Sequence, residues 1–351
     1  MEDKTPSKGP DRTISIIMPA HDAAAFLPRA LPPLVALQRA GEVLEVIVAD
    51  DAATDGGPAI ARDLGATVLS LPRNAGPAAA RNAAAARARG AILWFVDSDV
   101  VADPAGPARI RAALADPAVG AVFGAYDDHP ADPHWFSRYK NLAHRFYHLR
   151  AAPRATTFWA GCGAVRADLF ARLGGFDAQA YPRPSIEDIE LGYRIAGAGH
   201  EIAVDPGLQG CHLKGWRLLP TIRNDIRNRA LPWGRLIAGR EGLGDTLNIG
   251  RAERARAGLA GLLALALVAA LAGVVPRGPG LALAGALALA ALAANAALFL
   301  HLLRAAGPGT ALGGLAFHQL YYLYSTASFV WCLAEARLAP APAAASRRRR
   351  S

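Results

Sequence analysis

The stretch Ala91–Val101, AILWFVDSDVV, decides how this chain reads. The apolar run Ala91–Val96 leads straight into Asp97-Ser98-Asp99. A continuous apolar run closed by turn residues suits a strand buried on both faces of a sheet. Two carboxylates one residue apart at its carboxyl end are costly to desolvate unless a cation meets them. In open α/β sheets that end is where ligands bind. A divalent metal carrying a phosphorylated ligand suits the charge; a polar turn with an Asp helix cap is the plainer alternative.

Outward from this strand, one pattern recurs. Thr13–Met18 (TISIIM) reads as a buried strand closed by Pro19-Ala20-His21-Asp22. Ala23–Ala40 has helical composition, with Pro28, Pro32 and Pro33 arguing against a single helix. Leu44–Ala49 is the next strand, and it too ends in acid, Asp50-Asp51. Pro58–Leu64 is a helix, Thr67–Leu71 a short strand, Arg73–Pro77 a loop, and Ala78–Arg89 a helix ended by Gly90. Strands alternating with helices predict a mostly parallel, Rossmann-like sheet with right-handed crossovers. Two acidic clusters on one sheet edge point to a site; unrelated caps have no reason to converge.

The 351 residues carry a net charge of +9, and the excess of Lys and Arg lies in the back half, beside apolar segments. That placement points to anionic lipid headgroups and away from nucleic acid. Three widely spaced cysteines, Cys162, Cys211 and Cys332, exclude a disulfide scaffold. Met1–Arg12 reads as a disordered polar lead, and Ile14–Met18 is too short for the core of a signal peptide.

Six segments, in order and spacing, resemble the family 2 inverting glycosyltransferases of GT-A fold: Ile14–His21 (ISIIMPAH), Glu45–Gly56 (EVIVADDAATDG), Asn74–Asn82 (NAGPAAARN), Phe95–Val100 (FVDSDV), Gly161–Asp177 (GCGAVRADLFARLGGFD), and Glu187-Asp188 with Arg194 downstream. The resemblance covers roughly residues 13–216. It implies that Pro19, His21, Asp50, Asp51, Arg81 and Asp97 meet the nucleotide, Asp51 at the base. It implies that Asp97 and Asp99 form the DxD pair holding Mg²⁺ or Mn²⁺, with His212 as a further ligand. Asp188 matches the general base. Gly161, Cys162, Gly163, Glu187 and Trp216 fall in the sugar and acceptor region. The residue types fit this chemistry: a hard cation on carboxylate oxygens stabilises a leaving diphosphate, and inversion needs a base on the opposite face. Plainer readings stand beside each: helix N-terminal charge for Glu187-Asp188, a simple turn for Gly161–Gly163, a structural histidine for His212, and a small buried residue for Cys162. The processive relatives' Gln-x-x-Arg-Trp is absent; Lys214-Gly215-Trp216 stands there, favouring transfer of a single sugar over polymerisation.

Asp132–Arg150 mixes aromatic and basic residues, as an amphipathic helix near the acceptor entrance or an ordinary surface helix does. Arg217–Arg240 holds six Arg and one acid among Leu, Ile and Trp. Residues 217–256 are therefore expected to form a basic joint in the headgroup plane, broken by Pro220 and Pro232. Residues 257–335 form a membrane region with two or three spans, about 259–275, 281–303 and 312–333. A basic tail, 336–351, closes the chain. Three spans would place Arg347–Arg350 on the side opposite Arg251, Arg254 and Arg256, against the positive-inside tendency. The sum is a metal-dependent hexosyltransferase with its catalytic domain in the cytoplasm, multi-pass in the inner membrane. It moves a sugar from a nucleotide-diphosphate donor to a lipid-linked or membrane-associated acceptor. A processive polysaccharide synthase and a non-catalytic scaffold of the same fold are the alternatives.

Overall fold

The structure, a computed structural model, describes residues 12–239 and 250–338. The expected lead and most of the expected tail lie outside the described residues. Strand β1 (Ile14–Ala20), every residue buried, lies inside the parallel half of the sheet. It pairs in parallel with β2 (Glu45–Asp50) and with β4 (Ile92–Val96), and β2 pairs in parallel with β3 (Thr67–Ser70). Helices α1 (Leu27–Arg39), α2 (Gly57–Asp63) and α3 (Pro77–Ala85) connect these strands. Pro32 and Pro33 do not interrupt α1. Its stripe of Leu27, Leu31, Leu34 and Val35 is buried against the sheet, and that burial outweighs the backbone bonds the prolines remove.

Beyond β4 the sheet is mixed. Strand β8 (Cys162–Arg166) runs antiparallel to both β4 and β6 (Val119–Tyr126); β6 pairs in parallel with β9 (Glu201–His212), and the short β5 (Val100–Ala102) and β7 (Arg154–Ala155) lie antiparallel on β9. The apolar run in β4 is explained by burial on both faces. Trp94 packs with α1, and its neighbour Phe95 packs on the other face with Phe158, Phe170 and Phe176. Helices α4 (Gly106–Ala113), α6 (Ala167–Arg172) and α7 (Glu187–Gly197) complete the α/β domain.

Helix α5 (Trp135–Ala151) is not an ordinary surface helix. It lies between the sheet and the last helix, α12 (Ala296–Leu338), with Phe136, Tyr139 and Leu142 packed on Leu298, Leu302 and Phe317. Of the expected joint, residues 218–238 form three short segments, α8 (Leu218–Asp225), a π-helical turn (Ile226–Ala230) and α9 (Leu231–Ala238); residues 240–249 lie outside the described residues, and 251–256 begin the next helix. Leu219 is 74% exposed there, while Asp225 turns inward to Lys140 Nζ at 2.8 Å.

Two helices, α10 (Arg251–Leu271) and α11 (Arg277–Ala294), are long and apolar enough to cross a membrane. Leu262, Leu265, Val268 and Leu289 point outward from them. The expected second span, 281–303, is cut at Asn295. The expected third, 312–333, lies within α12, which breaks at Gly307 (φ 80°) and docks on α5. A polar seam explains why it stays with protein. His318 meets the hydroxyls of Tyr139 (2.7 Å) and Tyr147 (2.9 Å), and the Tyr322 hydroxyl donates to Glu253 of α10 at 2.6 Å. Such groups are satisfied inside protein and costly against lipid. The carboxyl end of α11 lies beside the amino end of α10, where Arg256 Nε donates to Ala294 O at 2.8 Å.

Phe317 lies edge-on to Phe136, ring centroids 4.8 Å apart, and is 5% exposed. Phe317→Ala is expected to lower stability by about 3–5 kcal/mol and to free α12 for proteolysis in detergent. Unchanged unfolding and cleavage would show that α12 is not docked.

Candidate active site

The carboxyl ends of β1, β2 and β4 share one edge because the three strands are parallel neighbours. Asp97 leaves β4 there, its N–H donating to Gly161 O at 3.1 Å, and the Val100 N–H closes a turn on Asp97 O at 3.0 Å. The turn feeds β5, whose Val100 pairs with His212 at the end of β9. This register brings a histidine remote in sequence to the acidic pair: His212 Nε2 is 3.5 Å from Asp99 Oδ2. Burial raises the Asp99 carboxyl, but His212 and Lys214 outweigh it, and the net shift is downward. His212 is 3% exposed, and its Nδ1 has no hydrogen-bond partner among the described residues.

Asp97 faces the other way. Its Oδ1 accepts from Arg81 Nη2 at 2.6 Å, and Arg81 Nη1 donates to Glu187 Oε1 at 2.9 Å. The guanidinium is 5% exposed and also lies over the Phe176 ring. Burial works against its charge, yet Asp97, Glu187 and Asp188 outweigh burial and hold it protonated more firmly than an ordinary arginine. Burial, opposed by Arg81 and reinforced by Asp99, leaves the Asp97 carboxyl above its usual range.

Glu187 and Asp188 open α7, so the favourable N-terminal charge and the placement at the site coexist. Asp188 Oδ2 accepts from the Ala160 N–H at 3.1 Å, next to the Gly161 that holds Asp97. Burial and the neighbouring Glu187 push the Asp188 carboxyl up to about 7. A carboxylate near neutrality is poised to take or give a proton at working pH.

On the β2 side, both oxygens of Asp51 are engaged by one loop. Oδ1 accepts from the Ala75 N–H at 2.7 Å and Oδ2 from the Gly76 N–H at 2.8 Å. Gly76 has φ 86°, and a Cβ there would lie 2.4 Å from Pro182 O, so the loop presses against the segment leading to Glu187. His21 Nδ1 meets Asp51 O at 2.9 Å and its Nε2 meets Asn74 Nδ2 at 2.9 Å. Asp50 Oδ1 accepts from the Ala53 N–H, and Pro19, inside β1, pairs with Ala49. These residues form a second wall on the same edge.

Gly161, Cys162 and Gly163 are not a free turn. Cys162 and Gly163 begin β8, paired with Val96 and Phe95. Added Cβ atoms would strike the Trp159 ring at 2.6 Å from Gly161 and Trp159 O at 2.3 Å from Gly163, so the glycines admit Trp159. Cys162 is fully buried, and burial pushes its thiol up to about 12, which rules it out as a nucleophile. Trp216 stacks on His212 at 5.6 Å and lies near Lys140 Nζ. Tyr126 joins this wall, its ring against His212, His144 and Trp159. The signal for Tyr126 is in the sequence: VGAVFGAY is an apolar run like that of β4, with its aromatic end at the sheet edge. Trp159 and His144 have no comparable signal; strand pairing and α5 packing bring them in.

The donor types suit Mg²⁺ or Mn²⁺: the Asp99 carboxylate and the His212 imidazole, whose Nε2 lies 3.5 Å from Asp99 Oδ2. Among the described residues no group of three or more His, Cys, Asp or Glu gathers to hold a metal unaided. Hard cations are commonly held by one or two side chains, with diphosphate oxygens and water completing the shell.

Residues 15–174 match the family described as Glycosyl transferase family 2. The amino-terminal domain belongs to this family. The chain is 30% identical over 236 residues to validoxylamine A glucosyltransferase of Streptomyces hygroscopicus subsp. jinggangensis, covering 54% of this chain and 53% of the relative. It is 27% identical over 212 residues to pre-mycofactocin glycosyltransferase of Mycobacterium tuberculosis, covering 57% and 43%. The chain thus spans about half the length of the curated relatives it matches. A solved mannosyltransferase of Pyrobaculum calidifontis, in complex with GDP-Man and Mn²⁺, superposes with a TM-score of 0.56 at 22% identity, over 93% of this chain and 91% of that one. The glycosyl transferase family 2 domain therefore has the GT-A fold, and the shared fold extends into the carboxyl-terminal helices.

Arg81 carries a stability test. Arg81→Ala leaves Asp97 and Glu187 unpaired beside Asp188 and is expected to cost about 3–5 kcal/mol. Arg81→Lys cannot span both carboxylates and should recover only part of the loss in denaturant unfolding. Full recovery with Lys would contradict the two-pronged bridge.

Proposed function

We propose that this chain is an inverting glycosyltransferase that moves a single sugar from a nucleotide-diphosphate donor to a lipid-linked or membrane-associated acceptor. The observation that carries the reading is the juxtaposition on one edge of an Asp99–His212 donor pair and a carboxyl, Asp188, poised near neutrality. In this reading Asp99 and His212 hold a divalent cation, which when bound supplies positive charge to the departing diphosphate. Asp51, Asp50, His21 and Pro19 line the nucleotide side. Arg81 fixes Asp97 and Glu187, and through them the start of α7. Asp188 takes the acceptor hydroxyl's proton, and the Ala160 N–H orients its carboxylate. Tyr126, Trp159 and Trp216 form an aromatic wall on which a sugar ring can stack. Helices α10 and α11, outward-facing and apolar, hold this site at a membrane surface, the catalytic domain on the cytoplasmic side. The shared fold with a mannosyltransferase bound to GDP-Man and Mn²⁺ supports the donor class.

Asp188→Asn is expected to lower kcat for sugar transfer by about 10²–10⁴-fold with donor binding retained. Because burial raises this carboxyl to about 7 and the base acts deprotonated, kcat should rise with pH and level off above about 7. A wild-type rate in the Asn variant, or a pH profile flat across this range, would remove Asp188 from the reaction. Asp99→Ala should abolish the Mn²⁺ dependence of donor hydrolysis; retained dependence would place the cation elsewhere.

A further inference from the structure

A cavity of about 410 Å³ lies between α5 and the first half of α12, lined by Arg145, Leu149, Ala297, His301, Arg304 and Asp128. We propose that it binds the phosphate of an anionic lipid headgroup. This rests on the membrane-surface placement above, and it concerns a site separate from the donor edge.

The lining carries two guanidinium groups against one carboxylate, that of Asp128. Arg145 on α5 and Arg304 on α12 enter from opposite walls, and Arg304 has no carboxylate partner among the described residues. His301 Nε2 is buried without a hydrogen-bond partner among the described residues. An unpaired buried ring nitrogen is costly; burial holds this ring toward its neutral form, and a bound phosphate would favour the protonated ring, whose Nε2–H donates to a phosphate oxygen. Arg145 is pre-oriented: its Nη1 donates to Tyr126 O at 2.7 Å, which fixes the guanidinium plane. Two arginines and an imidazole line the cavity from facing helices, and each guanidinium carries the fork of donors that recognises phosphate. Arg150, over the Phe146 ring that faces His301, adds a further cation at the rim.

The position selects a lipid over a free anion. Ala297, His301 and Arg304 follow α11 within ten residues of its end at Ala294, about 15 Å of helix. That is where a chain leaving the apolar layer meets headgroups. Leu300, beside His301, is 42% exposed, and Leu149 and Ala297 line the cavity, so an apolar shoulder adjoins the cationic floor.

The test uses the full chain in uncharged detergent without donor, titrated with short-chain phosphatidylglycerol, short-chain phosphatidylcholine and inorganic phosphate, read by calorimetry. Phosphatidylglycerol is expected to bind saturably and the other two at least tenfold more weakly. Arg304→Gln and His301→Gln should each weaken it about tenfold, the loss of one charge-assisted contact. Ala297→Phe, which fills the cavity and keeps every charge, should block binding; a melting temperature measured alongside separates lost binding from lost folding. Equal binding in wild type and folded variants would overturn the site. Inorganic phosphate binding as tightly as the lipid would overturn the lipid assignment. No donor or acceptor enters the assay, so the outcome is independent of whether the chain transfers sugar.

Discussion

The site depends on one buried guanidinium. Arg81, on α3, bridges Asp97 at the end of β4 and Glu187 at the start of α7. Burying that charge alone would cost several kcal/mol; two carboxylates and an aromatic face compensate it. The bridge ties three elements remote in sequence, and it sets where α7 begins relative to the sheet edge. Asp188, next to Glu187, inherits its position from this bridge. Its raised affinity for a proton follows first from burial and then from the Glu187 carboxylate beside it, with Arg81 opposing both.

A second tie runs parallel to the first. Asp51 grips the loop at Ala75-Gly76, and that loop leans on Pro182. Both walls of the cleft therefore converge on the segment preceding α7. Asp97 and Asp51 use their strand-end positions to hold backbone and side chains in place. Asp99, with His212, remains the group of the acidic edge to which the proposed reading assigns the cation.

Much of this was legible in the sequence, and the limits have physical causes. The parallel half of the sheet follows from apolar runs ending in acid, because burial on both faces leaves no other composition for Ile92–Val96. The antiparallel strands β5, β7 and β8 are less visible, since they are short and set by pairing partners. His212 stands out as a late histidine, but only the β5–β9 register explains its approach to Asp99. Arg81 reads as a cleft residue by resemblance, while its two acidic partners appear only in three dimensions. Of the apolar stretches, residues 281–303 begin in the span-length helix α11 but run past its end at Ala294, and residues 312–333 lie in α12. A break at Asn295 and the seam of Tyr139, Tyr147, His318 and Glu253 turn the last helix toward protein, because hydroxyls and imidazoles find partners there.

The central claim is that the acidic edge binds a nucleoside diphosphate through a divalent cation. Calorimetric titration of the detergent-solubilised full chain with UDP and with GDP, with and without Mn²⁺, tests it most directly. Saturable binding of one nucleotide that requires Mn²⁺ is the predicted result; absence of binding to either, or binding indifferent to the metal, would contradict it.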